Sequence, residues 1–306
     1  MDVRLLGNVE IHHGGGVVGL ARAGERCVLA TLALVPRRRV PVDTLVAHLW
    51  GDDPPDNAGR TVATYLRTVR RAVAQAGGGR DWLRNHRPGA YELDIEPDLV
   101  DYHRFTRLAK VARDRQGAGD GAGAVAAYQQ AVALRRGEAL AGVTGDWAGN
   151  WRWSVEREFV EVLCNLYEQQ LSMGAHAEVA ANVAGLITQV VPTDRMILLG
   201  ASGLAGSGQH AAIRDFYRRA ATRMSATAQV RPSAEVHAMV RQLVAQPAAR
   251  LTPPAAAGSP VESPVESPVE STVEPPAQHV TMVADRSGNV YQSAGDQYIG
   301  DTSDLR

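Results

Sequence analysis

Lysine is almost missing from this chain: Lys110 is the only one, and every other strong base is an arginine. That excludes a phosphate-binding GxxxxGK[ST] loop and leaves a single amine for Schiff-base chemistry. Cysteine is nearly as scarce. Cys27 and Cys164 lie far apart within apolar helical patterns, which reads as two small core residues in a cytosolic protein. No apolar run approaches about 18 residues, so no membrane span is expected. The opening MDVRLLGNVEI has neither the basic start nor the apolar stretch of a signal peptide.

What is present is unevenly placed. The 306 residues carry a formal net charge of -1 and a hydrophobic fraction of 45%, enough for two cored domains and some non-globular sequence. Residues 57–91 hold Arg60, Arg67, Arg70, Arg71, Arg80, Arg84 and Arg87 against only Asp81. From Pro247 onward there are three arginines and eight acids. A basic central region and an acidic tail describe a localised polyanion site.

The basic region is built on Asn57 to Val73, NAGRTVATYLRTVRRAV. At 100° per residue Val62, Leu66, Val69 and Val73 share a narrow arc, and Arg60, Thr64, Arg67 and Arg71 fall opposite, flanked by Tyr65 and Thr68. Guanidinium forks pair with guanine edges or phosphates, and threonine lets a helix approach closely, so the polar stripe suits a major groove. An ordinary solvated amphipathic helix has the same pattern.

The flanking sequence sets this helix in a context. Short strands are expected over residues 3–20, broken at Gly7-Asn8 and Gly14-Gly15-Gly16, with His12 and His13 at a hairpin tip. A helix over about 24–35 stops at Pro36, and Arg37-Arg38-Arg39 follows in an exposed turn, as phosphate clamps or as a solvated corner. A second helix spans about 42–50, and Asp56 or Asn57 caps the basic one. After Gly77-Gly78-Gly79, the segments around Leu83 and Tyr91–Ile95 flank the turn His86-Arg87-Pro88-Gly89 as a hairpin. Strands, three helices and a basic hairpin make a winged helix, whose third helix enters the major groove while the wing meets the minor groove or backbone.

The run LVAHLWGDDPPDNAGRTVATYLRTVRRAV, with RPGAYELDI and DLVDYHRF after it, resembles the DNA-binding half of the Streptomyces antibiotic regulatory proteins. These join an OmpR-type winged helix to a bacterial transcriptional activator domain. Leu49-Trp50-Gly51, Pro54-Pro55, Thr61, Leu66, Arg70-Arg71, Pro88-Gly89-Tyr91 and Asp101…Phe105 match the family pattern, as do AVALRRGEAL, Trp147 and GQHAAIRDFYRRA further on. The resemblance covers residues 1 to about 246. It implies double-stranded DNA as partner, head-to-tail self-association on direct repeats beside a promoter, and recruitment of RNA polymerase through its sigma factor, plausibly for a secondary-metabolite pathway.

The expected fold is mainly α with a small β part: a winged-helix domain over 1–97, a tetratricopeptide-like all-α activator domain over 98–246, a Pro/Glu-rich disordered linker over 247–279 and a tail peptide over 280–306. Residues 98–246 are alanine-rich, with helix pairs separated by glycine turns. Helices are expected over 124–134, over a long segment preceded by Trp147, Trp151 and Trp153, and over 176–191, 194–204 and 210–224. The repeat SPVE-SPVE-SPVE-STVE, Ser259 to Glu274, favours an extended, self-repelling chain. Alternation returns from Val280, as a small docking strand or a disordered end whose partner is unknown.

The candidate DNA-contacting residues are Arg60, Thr61, Thr64, Tyr65, Arg67, Thr68 and Arg71, with Arg84 and Arg87 from the wing. Arg70 is suited to a local bond as much as to DNA. Asp52, Asp53 and Asp56, in the loop before the basic helix, are candidates to face the polymerase, or form only a capping turn. No catalytic constellation, metal site or cofactor is expected: the histidines lack ligand spacing, and GASGLAGSG (200–208) has no preceding strand. The protein should be cytoplasmic and nucleoid-associated. The alternative is a helical-repeat interaction adaptor with a degenerate winged helix.

Overall fold

The structure, a computed structural model, describes residues 1–86 and 89–245, with the backbone alone at Arg80. The expectations for the Ser259–Glu274 linker, the tail strand and the tip of the wing, including Arg87, fall outside the described residues.

Alternation of Val3, Leu5, Val9 and Ile11 with polar residues produces the first sheet. Its strands β1 (Asp2–Arg4), β2 (Glu10–His13) and β3 (Gly16–Val18) lie antiparallel in that order, with Val3 opposite Ile11 and Ile11 opposite Val18. Gly14 and Gly15, both at positive φ, make the hairpin turn beside His13. The second sheet has the order β4-β6-β5, from Val40–Pro41, Ala90–Leu93 and Leu83–His86. The two-residue β4 carried no readable signal, because its pairing of Val40 with Tyr91 is a tertiary event.

With the sheets pack α1 (Ala23–Ala33), α2 (Val42–Trp50) and α3 (Ala58–Gln75). Val28, Leu29 and Leu32 of α1 meet Leu45 of α2 and Val62, Leu66, Val69 and Val73 of α3 in one core, shared with Leu5, Ile11, Leu83 and Leu93. The apolar arc read from the sequence is the buried face of α3. Asn57 is the N-cap residue but makes no side-chain capping bond. The helix begins instead from a backbone bond of Ala58 N–H to the Pro55 carbonyl, 2.8 Å.

The second half continues as α4 (Asp101–Gly117), α5 (Gly121–Val132), α6 (Asp146–Ser172), α7 (His176–Gln189), α8 (Asp194–Gly206), α9 (His210–Ala228) and α10 (Ala234–Ala245). Trp147, Trp151 and Trp153 do not precede the long helix; they are inside it. Trp147, Trp151, Val155 and Phe159 follow at intervals of four, so one stripe runs from the first turn. The helix starts where Gly145 takes a φ of 104°. Beyond the last helix expected from the sequence, α10 adds Val236 and Val240 to the core.

The glycines of GASGLAGSG have a packing role. A Cβ on Gly203 would sit 2.9 Å from the Ala180 nitrogen and the His176 carbonyl oxygen, and one on Gly200 would strike the Phe216 ring. They let α8 close onto α7 and α9. Gly203→Ala should therefore lower stability by about 1–3 kcal/mol through a forced helix shift, read as a fall in the thermal midpoint. An unchanged midpoint would contradict the close backbone approach.

The halves are joined by more than the peptide chain. The Trp147 indole stacks on His48 with ring centroids 4.2 Å apart, and its N–H donates to the His48 carbonyl at 2.8 Å. Burial holds the His48 imidazole below its ordinary value, so the unfolded chain takes up a proton that the folded protein resists. The stability from this site is complete above about pH 6.5 and falls as pH drops below it. Denaturant midpoints should fall with pH in that window, with a shallower slope in His48→Gln. Equal slopes would remove His48 from the account.

Candidate nucleic-acid interface

With its apolar face against α1 and α2, helix α3 turns Arg60, Arg67 and Arg71 outward, and all three are exposed. Among the described residues none of the three makes an ion pair. Arg67 is held by a hydrogen bond: its Nη2 donates to Thr64 Oγ1 at 3.0 Å, and Thr64 Oγ1 donates to the Arg60 carbonyl at 3.1 Å. Thr68 Oγ1 bonds back to the Thr64 carbonyl at 3.4 Å. Short hydroxyls folded onto their own backbone leave the helix surface low between the arginines. The stripe can present guanidinium forks to base edges or phosphates.

The other predicted residues divide. Thr61 is half-buried on the same helix. Tyr65 lies against α1, where a Cβ on Gly24 would come 2.5 Å from its ring, so it fixes the spacing of α1 and α3. Arg70 is bound locally, donating to the Leu83 carbonyl at 3.1 Å. Arg84, placed with the DNA-facing set by sequence, is held on the wing by Asp94 and stands 3.9 Å from Glu92. Arg37 is a correction to the clamp reading of its turn: its guanidinium engages Asp94 at 3.3 Å and also Glu96, and its N–H donates to the Leu93 carbonyl. Arg38 and Arg39 remain exposed. The acceptors of Arg37 and Arg84 lie on other elements, so helical or strand periodicity carried no sign of them.

Asp52, Asp53 and Asp56 are all exposed in the loop between α2 and α3. They sit just ahead of a helix whose first turn has no acid of its own.

Burial pushes the Cys27 and Cys164 thiols up to about 11, so both stay protonated. Burial, with Glu158 beside it, pushes the Tyr102 hydroxyl up to about 12. Among the described residues no three His, Cys, Asp or Glu side chains converge on a metal position, and no helix is long and apolar enough to cross a membrane.

Comparison with known proteins agrees with this architecture. Residues 20–93 match the family described as "Transcriptional regulatory protein, C terminal", and residues 100–244 match "Bacterial transcriptional activator domain". The regulatory protein DnrI of Streptomyces peucetius is 34% identical over 193 residues, 61% of this chain and 71% of that one. The transcriptional regulator RedD of Streptomyces coelicolor is 31% identical over 261 residues, 80% of this chain and 71% of its own length. The solved structure of Mycobacterium tuberculosis EmbR in complex with a low-affinity phosphopeptide superposes with a TM-score of 0.73 at 22% identity, over 80% of this chain and 65% of that one, a likeness of fold. With an outward arginine stripe on the third helix of a winged helix, and an activator domain behind it, the chain belongs to the Streptomyces antibiotic regulatory protein family of DNA-binding transcriptional activators.

Proposed function

We propose that this activator binds direct repeats beside a promoter as a head-to-tail array of protomers, with α3 of each in a major groove, and recruits RNA polymerase through its sigma factor. The observation that carries the reading is the exposed set Arg60, Arg67 and Arg71, without an ion pair among the described residues, on a helix clamped by α1 and α2. Arg67 is the base reader in this scheme, because Thr64 steadies its guanidinium and ordering it on DNA costs less entropy. Arg60 and Arg71 neutralise phosphates on either side. Thr61, Thr64 and Thr68 permit close approach, and Tyr65 sets the helix position. The wing, with Arg84 braced by Asp94 and with Arg87 beyond it, contacts the neighbouring backbone or minor groove.

The polymerase-facing surface in this reading is the loop carrying Asp52, Asp53 and Asp56. It is acidic and exposed beside the DNA-reading helix, where a basic surface of sigma bound to the adjacent promoter element can meet it. A secondary-metabolite pathway is the regulated target, and the protein works in the cytoplasm on the nucleoid. No cofactor enters the scheme.

The triple variant Asp52→Asn, Asp53→Asn, Asp56→Asn separates the two activities. Its footprint on the promoter should match the wild type, while transcription with purified polymerase drops several-fold. Full transcription from a normal footprint would remove this loop from the polymerase contact. Footprints that cover one site rather than two spaced repeats would remove the head-to-tail array.

A further inference from the structure

The acidic loop before α3 departs from the end of α2, and that end is held from the helical half. A helix leaves its last carbonyls without intrahelical partners. In α2 the Ala47 carbonyl takes the Gly51 N–H at 2.8 Å and the Trp50 carbonyl takes the Asp53 N–H at 3.4 Å, both local bonds. The His48 carbonyl is served from other elements. The Trp147 indole N–H of α6 donates to it at 2.8 Å, and the Cys27 thiol of α1 lies 3.6 Å away. The His48 ring is gripped by the same two helices: Trp147 stacks on its face with 8° between the planes, and Thr31 Oγ1 of α1 is 3.0 Å from its Nδ1.

Trp147 is itself firmly seated. Leu140 and Val143, ahead of α6, and Ala148 in its first turn are buried in the core of the winged helix with Leu29 and Leu45, not in the core of the helical stack. Gly145, at a φ of 104°, brings the chain so close that a Cβ there would sit 3.4 Å from the His48 carbonyl oxygen. Arg26 of α1 donates to the Gly142 carbonyl at 3.4 Å. Asp52, Asp53 and Asp56, by contrast, are exposed and make no ion pair among the described residues. The loop therefore takes its direction from the end of α2 rather than from its own acids.

We propose that Trp147 is a positioning residue for the polymerase contact: from the helical half it fixes the end of α2, and with it the direction in which the loop of Asp52, Asp53 and Asp56 leaves the winged helix. This rests on the reading of that loop as the polymerase-facing surface. Helix α3 is anchored separately, by Val62, Leu66, Val69 and Val73 in the core, so operator binding does not pass through Trp147.

Trp147→Phe in the full-length protein tests this, because it keeps a ring over His48 and removes the N–H. Its footprint midpoint on the promoter should stay within about twofold of the wild type, while transcription with purified polymerase falls about three- to tenfold, the size of one hydrogen bond's net effect on an equilibrium. Added to Asp52→Asn, Asp53→Asn, Asp56→Asn, it should lower transcription by less than about a further twofold, because residues that act through one another are not additive. Val143→Ala weakens the packing of the same segment but leaves the bond to His48, and should transcribe as the wild type does below its melting range. Full transcription by Trp147→Phe from a normal footprint overturns the proposal. So does a loss that only follows weaker operator binding, or one that Val143→Ala reproduces, since either makes Trp147 a support of the fold alone. A full additional loss in the triple-Asn background also overturns it, and places the effect of Trp147 outside the loop. If the triple-Asn chain itself transcribes fully, the loop reading fails and takes this inference with it.

Discussion

Changing Arg67 and Arg71 together to alanine should weaken binding to the operator by about hundredfold or more while leaving the fold and thermal midpoint unchanged. Both side chains are exposed and carry no ion pair among the described residues, and truncating such groups shifts stability by no more than about 0.5 kcal/mol. On DNA the balance differs. A guanidinium bidentate to a guanine contributes about 1–3 kcal/mol of discrimination, and its loss relaxes specificity at one position. A guanidinium on a phosphate gives a uniform loss and reduces the salt slope by about one unit. Single variants therefore assign the roles: Arg67→Ala should flatten preference at one base pair, and Arg71→Ala should act equally on all sequences. Thr64→Val should give a milder copy of Arg67→Ala, since it removes the hydroxyl that holds the Arg67 guanidinium. Tight, selective binding by the double variant, measured at fixed salt, would contradict the assignment of α3.

Asp101→Ala should cost about 3–5 kcal/mol of folding stability, at least about a fifth of what a domain this size normally has. This carboxylate is fully buried. It accepts from the backbone N–H groups of Leu5 at 2.8 Å and Leu6 at 3.1 Å, and it is ion-paired with Arg136. The same junction holds the Arg136 N–H on the Leu6 carbonyl and the Leu140 N–H on the Leu5 carbonyl, both at 2.8 Å. One side chain thus ties the N-terminal strand, the first turn of α4 and the segment before α6. Its removal leaves two buried N–H groups and a guanidinium without their acceptor, and each unsatisfied amide costs about 1–3 kcal/mol. Burial pushes the Asp101 carboxyl up from its ordinary range, while these three donors pull it back. Asp114→Ala is the matched control: among the described residues its only ion-pair partner is Lys110, at 3.0 Å on an exposed face, and such pairs contribute about 0–1 kcal/mol. Similar melting shifts in the two variants would contradict the account of the junction.

These two sites show what a sequence makes legible. The stripe on α3 could be read because burial and helical period are both local: Val62, Leu66, Val69 and Val73 recur on one arc, and whatever lies opposite must face outward. The ends of α1 and α2 and the start of the wing strands followed from Pro36, Gly51 and the glycines near 77–79 for the same reason. Asp101 was visible only as a member of a family pattern. Its acceptor role depends on Leu5 and Leu6, nearly a hundred positions away, where no periodicity reaches. The arginines divide along the same line. Arg60, Arg67 and Arg71 keep the exposure that the pattern gave them, while Arg37, Arg70 and Arg84 are claimed by Asp94, Glu96 and the Leu83 carbonyl once the sheet forms. Trp147 was misplaced for a related reason, since its ring is fixed by His48 of a different helix rather than by its neighbours.

The most direct measurement is selection of the full-length protein on a fragmented genomic pool, sequenced after binding at two salt concentrations, beside the Arg67→Ala/Arg71→Ala chain. The account predicts that the wild type enriches fragments carrying a direct repeat upstream of promoters, that enrichment sharpens at the higher salt, and that the variant loses it. Recovery of the same unenriched pool by both chains would contradict the claim that α3 reads DNA, and would leave the helical half as the working surface of the protein.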